Sequence, residues 1–336
     1  MPDPERLRAL VAERYDVADP QVERLVDDHP VYLLITGEER WVIRVGAGLD
    51  RYAAVLSALD RAGFPVPPVL TDRNGRTVTE FRSDTETVQI LIIGYVEGRP
   101  TPFHPEPLGR LGGALGQLHR DGSAAIQAAA GPPAGLPVVD RAGMLPAGEL
   151  RFGLSRLAAA GGRGTAAERV VADRLIAACR AGLDFGHGLT SVFLHGDAHP
   201  WNSLLAADGS VIMIDWDSSG PGPAVIDLGF LAVSCATGGL TGPLAAPDPA
   251  RLSAMAAGYR REFTLSDADL DALPFAVAFR VLVAAAVGFG TLLAAGRSPL
   301  NEPSIRWSLD RLSAAPRIAD DLRRLLTVAK PPQLDR

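Results

Sequence analysis

The chain has 336 residues, of which 47% are hydrophobic and 21% are charged. This composition is typical of a globular protein and excludes wholesale disorder or a collagen-like fibre, and the length fits two domains or one large one. The formal net charge of -6 argues against general binding of nucleic acid. The two cysteines, Cys179 and Cys235, exclude a disulfide framework and fit a reducing cytoplasm.

Three further features narrow the class of protein. Lys330 is the single lysine, so a phosphate-binding cation in the body of the chain must be an arginine. Met1–Leu10 is charged and has no apolar run, so we expect no signal peptide. The most apolar stretch, Val281–Ala295, is short for a bilayer, and we predict a buried helix of a soluble lobe and no membrane partner.

Residues 1–96 predict a small lobe that is rich in strands. Thr36–Glu39 suits a hairpin turn between two of them, and Gly63 is well placed to end a helix. The predicted elements, in chain order, are helix Glu5–Arg14, strands Val22–Val26, Val31–Thr36 and Trp41–Val45, helix Asp50–Ala62, and an antiparallel pair Arg76–Phe81 and Thr87–Ile93.

Residues 97–104 read as a hinge, and residues 105–336 predict a larger, mainly helical lobe. Leucines keep helical spacing after Pro105, whereas Gly122–Gly148 is rich in Ala, Gly and Pro and is expected to be irregular. The remaining predicted helices are Leu150–Ala181 with a break at Gly161–Gly164, Arg251–Phe263, Ser266–Ala295 and Ser304–Val328. The sequence therefore predicts an α+β fold of two lobes.

The segment Ser191–Gly229 carries the pattern of polar residues that indicates chemistry. One apolar strand ends in His195-Gly196-Asp197, Asn202 follows five residues later, and a second apolar strand delivers Asp215. Phosphoryl transfer from a nucleotide needs a carboxylate that accepts the hydroxyl proton and oxygen ligands that hold Mg²⁺. The D-x-x-x-x-N step and the Asp after a second strand match a protein-kinase catalytic loop and metal aspartate.

The motifs HGDAHPWN and VIMIDWD resemble those of the aminoglycoside phosphotransferase and choline kinase group, and LGGALGQLHR and GYVEGRP are similar to its first helix of the second lobe and its hinge. The resemblance implies a bilobal protein-kinase-like fold and ATP or GTP as phosphoryl donor with Mg²⁺. It also implies roles for eight residues. These are Asp197 as catalytic base with His195 as the catalytic-loop residue that anchors it, Asn202, Asp215 and Asp217 at the metal, and Arg44, Ile93 and Tyr95 at the nucleotide. The resemblance also implies a structural role for Asp227.

The first lobe departs from this family's pattern in two places. The family's Gly-rich phosphate loop would fall on Asp27-Asp28-His29-Pro30, where two carboxylates repel a triphosphate and proline lacks an amide donor. Arg44 on the WVIRV strand stands at the place of the family's phosphate-binding cation, but its helix glutamate would fall near Tyr52. Arg44 must then be oriented by another group of the protein or only by the nucleotide itself.

Three functions are consistent with these residues. The first is a kinase that phosphorylates a hydroxyl of a small molecule such as an aminoglycoside, sugar or amino alcohol. The second is a peptide Ser/Thr kinase of natural-product maturation, with Gly122–Gly148 as part of a groove. The third is a pseudokinase that binds without turnover. The acidic residues Glu262, Asp267, Asp269 and Asp271 attract a cationic substrate in one interpretation and cap helices on a solvated face in the other.

Overall fold

The computed structural model describes residues 2–25, 29–82, 87–130, 146–239, 242–243 and 248–327. The helices are α1 (Pro4–Arg14), α2 (Leu49–Arg61), α3 (Pro105–Ala130), α4 (Pro146–Ala159), α5 (Ala166–Ala181), α6 (Ala224–Thr237), α7 (Pro249–Glu262), α8 (Asp267–Ala294) and α9 (Pro303–Thr327). The strands are β1 (Gln21–Arg24), β2 (Val31–Thr36), β3 (Glu39–Gly46), β4 (Val78–Arg82), β5 (Thr87–Gly94), β6 (Arg99–Pro100), β7 (Ser191–Leu194), β8 (Ser203–Leu205), β9 (Val211–Met213) and β10 (Gly220–Pro223).

The first lobe is built on an antiparallel sheet of five strands in the order β1-β2-β3-β5-β4. Thr36 pairs with Glu39 across the β2–β3 turn, which confirms the predicted hairpin. The predicted antiparallel pair before the hinge is confirmed as β4 and β5, and the two predicted helices are confirmed as α1 and α2. The sequence pattern thus located every regular element of this lobe to within a few residues.

The two faces of this sheet pack against different helices because successive side chains of a strand point to opposite faces. On β3, Ile43 and Val45 join a cluster with Leu7 and Val11 of α1. The opposite face of the sheet and helix α2 join the core that continues into the helical lobe. Arg44 alternates with Ile43 and therefore points to the side of α2 and of the cleft between the lobes.

Helix α8 is the central helix of the second lobe and packs against α4, α5, α6 and α9. It is the one described helix that is long and apolar enough to cross a membrane, yet half of its most apolar window is buried within the protein. This packing confirms the prediction of a buried helix. Helices α3 and α7 approach closely, since a Cβ atom on Gly258 would lie 1.9 Å from the carbonyl oxygen of Gly109.

Two expectations for the second lobe were wrong in part. Helix α3 continues to Ala130 and α4 begins at Pro146, so both ends of the segment expected to be irregular are helical, while residues 131–145 lie outside the described residues. Helix α6 was not predicted because all fourteen of its residues are buried. A helix that is apolar on every side has no amphipathic period by which it could be recognised.

The junction between α8 and β7 supports a prediction on stability. The Asp269 carboxylate accepts hydrogen bonds from the backbone nitrogens of Thr190 (2.9 Å) and Ser266 (2.9 Å) and from both hydroxyls. Asp269→Ala leaves these donors unpaired and should lower the free energy of unfolding by about 1–3 kcal/mol. Urea unfolding measures this free energy. The control is Asp267→Ala, an exposed residue of the same first turn of α8, which should change stability by less than about 0.5 kcal/mol.

The same contribution should depend on pH. Burial alone would raise the pKa of Asp269, but the hydrogen bonds from Thr190 and Ser266 outweigh it and lower the pKa below its usual value. A lowered pKa in the folded state stabilises the fold above the ordinary carboxyl pKa of about 4, and this stabilisation is lost as the pH falls through the lower value. The difference in the free energy of unfolding between wild type and Asp269→Ala should therefore shrink as the pH falls below about 4. A difference that stays constant over this range would contradict the lowered pKa of Asp269.

Candidate active site

The end of β7 turns sharply so that Asp197 faces the cleft between the lobes. Gly196 adopts a φ of 83°, and a Cβ atom there would lie 2.0 Å from the carbonyl oxygen of Ser218. Only glycine fits this turn without displacing the backbone. The Asp197 side chain that follows is 34% exposed, which leaves a carboxylate accessible to a substrate.

The Asp197 carboxylate is fixed by residues of its own loop. Its Oδ2 accepts a hydrogen bond of 2.7 Å from Nδ2 of Asn202 and lies 3.6 Å from Nε2 of His199. Burial alone would raise the pKa of this carboxyl, but the interaction with His199 and the charge of Arg280 lower it below its ordinary value. Asp197 is therefore an ionised carboxylate at neutral pH, the form that a proton acceptor needs.

Two buried side chains hold this loop in place. The Asp227 carboxylate accepts hydrogen bonds from the backbone nitrogens of His195 (2.7 Å) and Gly196 (2.9 Å). The His195 ring lies between the carbonyl oxygen of Ile214 and the backbone nitrogen of Asp197. Burial lowers the pKa of His195, so its neutral ring donates through Nε2 and accepts through Nδ1.

His195 was grouped with Asp197 as a catalytic residue on the basis of the sequence. Its side chain is completely buried and has no surface that could touch a substrate. His195 instead connects the backbone of Asp197 to that of Ile214, the residue before Asp215. Asp227, expected to be structural, holds the same loop from the other side.

The second polar group lies just after β9, on a strained stretch of backbone. Asp215 has a φ of 65°, a left-handed conformation that is costly for a residue other than glycine and that clusters at functional sites. Its Oδ1 accepts a hydrogen bond of 3.1 Å from Nη1 of Arg44, and Asp217 accepts from Nη2. Burial and the Asp215 carboxylate raise the pKa of Asp217 despite the adjacent Arg44.

Arg44 is oriented by the ring of Tyr52, near the position where the aminoglycoside phosphotransferase pattern has a helix glutamate. Its guanidinium lies 4.6 Å from the centre of the Tyr52 ring, and Nη1 is 3.3 Å from the Tyr52 hydroxyl. Burial alone would lower the pKa of Arg44, but Tyr52, Asp217 and Asp215 raise it. The arginine is thus a fixed positive charge at the cleft.

A cavity of about 730 Å³ opens beside this arginine. Its lining includes His29 and Pro30 from the β1–β2 connection, the Gly46–Gly48 turn before α2, and both Asp215 and Asp217. Asp27 and Asp28 lie outside the described residues. Arg51 of α2 also reaches across the cleft and donates to the carbonyl oxygen of Ser219, a contact that the sequence did not suggest.

The donor atoms of the loops fit a magnesium ion held jointly with a nucleotide. Because Nδ2 of Asn202 donates to Asp197, its Oδ1 is the atom left for a cation, and Asp215 supplies an anionic oxygen. No group of three or more His, Cys, Asp or Glu side chains suited to a metal occurs within the described part of the chain. Mg²⁺ commonly uses one or two carboxylates together with substrate phosphates, so Asn202 and Asp215 are the residues that would hold it beside a nucleotide.

The structure does not bring Ile93 and Tyr95 to this cavity. The Ile93 side chain is only 6% exposed and belongs to the core. The Tyr95 backbone nitrogen donates to the carbonyl oxygen of Arg40 at 3.0 Å, and the Arg40 guanidinium covers the Tyr95 ring. This backbone pairing occupies the Tyr95 amide, and the role of Ile93 and Tyr95 at the nucleotide stays a prediction.

Two charged residues behind the catalytic loop were missed. Arg280 of α8 donates through Nη2 to the carbonyl oxygen of Gly196 and through Nη1 to both carboxylate oxygens of Glu149, at 2.9 and 3.1 Å. The signal was present, because Arg280 is the charge that interrupts the most apolar run of the sequence. A charge in a buried helix is almost always paired, but the sequence could not show with which residue.

Solved structures of small-molecule kinases share this fold. A microcompartment-associated aminopropanol kinase has a TM-score of 0.67 at 21% identity, covering 95% of this chain and 99% of its own. An amicoumacin kinase, hAmiN, solved with AMP-PNP, Ca²⁺ and Ami, has a TM-score of 0.66 at 15% identity, covering 96% and 94%. Spectinomycin phosphotransferase with ADP and spectinomycin has a TM-score of 0.60 at 15% identity, covering 96% and 99%. These likenesses confirm the predicted bilobal kinase-like fold.

Sequence comparisons assign the family. An uncharacterized protein of Deinococcus radiodurans is 32% identical over 126 residues, which are 38% of this chain and 36% of that relative's length. The profile of the phosphotransferase enzyme family matches residues 25–263, a range that includes strands β2 to β5 of the first lobe, the Asp197 loop and Asp215. The resemblance read from the HGDAHPWN and VIMIDWD motifs is thereby confirmed, and the chain belongs to the phosphotransferase enzyme family.

Proposed function

We propose that this protein transfers the γ-phosphate of ATP or GTP to a hydroxyl group of a small molecule. The observation that carries the proposal is the accessible Asp197 carboxylate, held by Asn202 and tied through His195 to the segment that places Asp215 opposite Arg44. This arrangement offers a proton acceptor, oxygen ligands for a cation and a phosphate-binding charge around one cleft.

Each residue has one task in the proposed reaction. Asp197 accepts the proton of the acceptor hydroxyl while the oxygen of that hydroxyl attacks the γ-phosphorus. The bond between the γ-phosphorus and the bridging oxygen breaks, and the nucleoside diphosphate leaves. Arg44 exchanges its contacts with Asp215 and Asp217 for the phosphates. Mg²⁺, when held by Asn202 and Asp215, neutralises charge on the phosphates. Asp217 lies beside the proposed metal site and, like Asp215, forms an ion pair with Arg44 in the absence of nucleotide.

The two lobes divide these tasks. In the proposal residues 1–96 bind the nucleotide, residues 97–104 form the hinge, and residues 105–336 carry the catalytic loop and receive the acceptor. A cavity of about 660 Å³ lies behind the loop in the helical lobe, a volume suited to a small organic molecule. The names of the similar structures, kinases of amicoumacin, aminopropanol and spectinomycin, favour such an acceptor. The proposed reaction needs ATP or GTP together with Mg²⁺, so the proposal includes a cytoplasmic location.

A transfer assay tests the proposal. Radiolabelled γ-phosphate on ATP or GTP is followed with and without Mg²⁺ over a panel of hydroxylated metabolites and Ser/Thr peptides. We expect Mg²⁺-dependent transfer to at least one small hydroxyl compound. Nucleotide binding without transfer to any member would favour the pseudokinase, and transfer to peptides alone would favour the peptide kinase.

Removal of the arginine tests the phosphate grip. Arg44→Ala should raise the Kd for nucleotide at least about tenfold, roughly 1.4 kcal/mol, because no lysine occurs in this lobe to replace it. Tyr52→Phe should change the Kd little, since the ring beneath the guanidinium and both carboxylates are retained. Calorimetry measures both. Arg40→Ala, an arginine on the same strand that pairs with Glu97, is the matched control, and normal nucleotide affinity in folded Arg44→Ala would refute this role.

A further inference from the structure

The cavity of the helical lobe adjoins the catalytic loop. It lies between α4, α6, α8 and α9, with Arg280 and Phe230 in its wall. Arg280 donates to the carbonyl oxygen of Gly196, the residue before Asp197. The Phe230 ring meets the His199 ring edge to face at 5.4 Å, and His199 lies against Asp197. Two side chains of the cavity wall, Arg280 and Phe230, thus contact the loop that carries Asp197.

The wall of this cavity is mainly apolar. Helix α8 contributes Val281, Val283, Ala284 and Val287, and α4 contributes Phe152. Phe152 is 48% exposed, and the Arg156 guanidinium lies 4.8 Å from the centre of its ring. Small-molecule sites are commonly lined by apolar and aromatic groups with a few polar groups for orientation. The wall suits a ligand with an apolar body.

The described part of the wall holds two arginines and one carboxylate. Glu149 is bound by two hydrogen bonds to Arg280, and the side chains of this pair are only 18% and 20% exposed. Arg311 is 1% exposed, and its guanidinium donates to the carbonyl oxygens of Gly239 and Trp307. Among the described lining residues, the one carboxylate is thus already neutralised by an arginine.

The acidic residues of α7 and α8 add no carboxylate to the wall of the cavity. Glu262 pairs with Arg120 and Asp271 pairs with Arg323, and Asp269 caps α8. None of the three lines the cavity. The interpretation in which these residues attract a cationic substrate therefore finds no support in their positions, and the alternative of helix capping and a solvated face describes them.

We infer that the acceptor is a hydroxyl compound with an apolar body, seated against Phe152 and helix α8, and with no net positive charge. This inference rests on the proposed phosphoryl transfer, because it takes the cavity behind Asp197 as the acceptor site. An ammonium group placed there would lose its hydration without gaining an unpaired carboxylate from the described wall, which is unfavourable. An amide or other neutral polar group has no such cost.

Four probes separate the effects of the apolar body and of the charge. They are phenylalaninol, N-acetylphenylalaninol, glucosamine and N-acetylglucosamine, which pair an aromatic or a sugar body with an amine or its neutral amide. Binding to the full chain without nucleotide is measured by calorimetry and by saturation-transfer NMR. We expect N-acetylphenylalaninol to bind at least about tenfold more tightly than phenylalaninol and more tightly than either sugar.

Variants of one helix place the binding in the cavity. Ala284→Trp fills the cavity and should abolish binding of N-acetylphenylalaninol, whereas Thr291→Trp, at an exposed position of the same helix outside the lining, should leave it unchanged. Ala284→Glu adds an unneutralised carboxylate and should shift the preference toward the amine. The matched Thr291→Glu should not.

The outcomes distinguish this inference from the proposed function. Tighter binding of either amine or of a sugar, no binding of N-acetylphenylalaninol at millimolar concentration, or unchanged binding in Ala284→Trp would overturn the inference. Phosphate transfer to glucosamine in preference to the apolar probes would uphold the kinase and overturn the inference. Binding of N-acetylphenylalaninol in the cavity without transfer to any hydroxyl compound would uphold the cavity's preference and count against the kinase.

Discussion

Replacement of Asp197 by asparagine is expected to lower the rate of phosphoryl transfer by about 10²–10⁴-fold. The amide keeps the size of the side chain and an oxygen for the hydrogen bond from Asn202, but it cannot take the proton of the acceptor. Nucleotide affinity and the unfolding midpoint should change little, because Asp215 and Arg44 are untouched. Phosphate transfer and, in its absence, Mg²⁺-dependent hydrolysis of ATP measure the rate.

The control for this variant is Asp208→Asn. Asp208 is an exposed aspartate of the β8–β9 turn, where it accepts a hydrogen bond from Ser210, and its replacement should leave the rate unchanged. If Asp197→Asn retains more than about a third of the wild-type rate, which is well outside the range for a lost general base, another group accepts the proton.

The second large effect is expected at the metal. Asp215→Ala should weaken nucleotide binding in the presence of Mg²⁺ by at least about 100-fold, the upper range for groups that only support a metal ligand. Asn202→Ala should weaken it less, because a neutral oxygen is lost. Without Mg²⁺ the ranking should change: Asp215→Ala removes a carboxylate that competes with phosphate for Arg44, so its metal-free affinity should equal or exceed that of wild type.

Calorimetry with and without Mg²⁺ gives both affinities from one set of samples. The matched control is Asp50→Ala, an exposed aspartate of α2 that accepts from Gln89, which should show wild-type values in both conditions. Equal affinities of Asp215→Ala and wild type in Mg²⁺ would exclude the metal role, and a loss of the same size without Mg²⁺ would point to damage of the fold.

Much of the candidate site could be predicted because its residues are neighbours in the chain. Asp197 and Asn202 are five residues apart, and a short loop after an apolar strand brings them together with little choice of geometry. The strand that follows returns to the same place, since Ile214 donates to the carbonyl oxygen of Asn202 at 2.9 Å. Spacing and alternation of apolar residues therefore fixed the catalytic loop and the position of Asp215.

The partners of Arg44 could be predicted only in part. Alternation on β3 separates Arg44 from Ile43 and Val45, and the absence of lysine left arginine as the available cation, but the structure shows which face lies toward the cleft. That Tyr52 lies beneath it, and that Asp215 and Asp217 share its charge, depends on the closure of two lobes whose contacting residues are 171 and 173 positions apart. No local pattern encodes such a distance.

The sequence by itself predicted the bilobal α+β fold and the family, and it nominated the residues proposed to carry the chemistry, because these follow from local periodicity and from motifs a few residues long. Only the tertiary structure decided which backbone groups His195 binds, that the Tyr95 amide is occupied by the sheet, and that Arg280 neutralises Glu149 from 131 positions away. The availability of a charge or an amide depends on what packs against it. Packing between distant helices and strands therefore sets the electrostatics of the cleft and of the acceptor cavity.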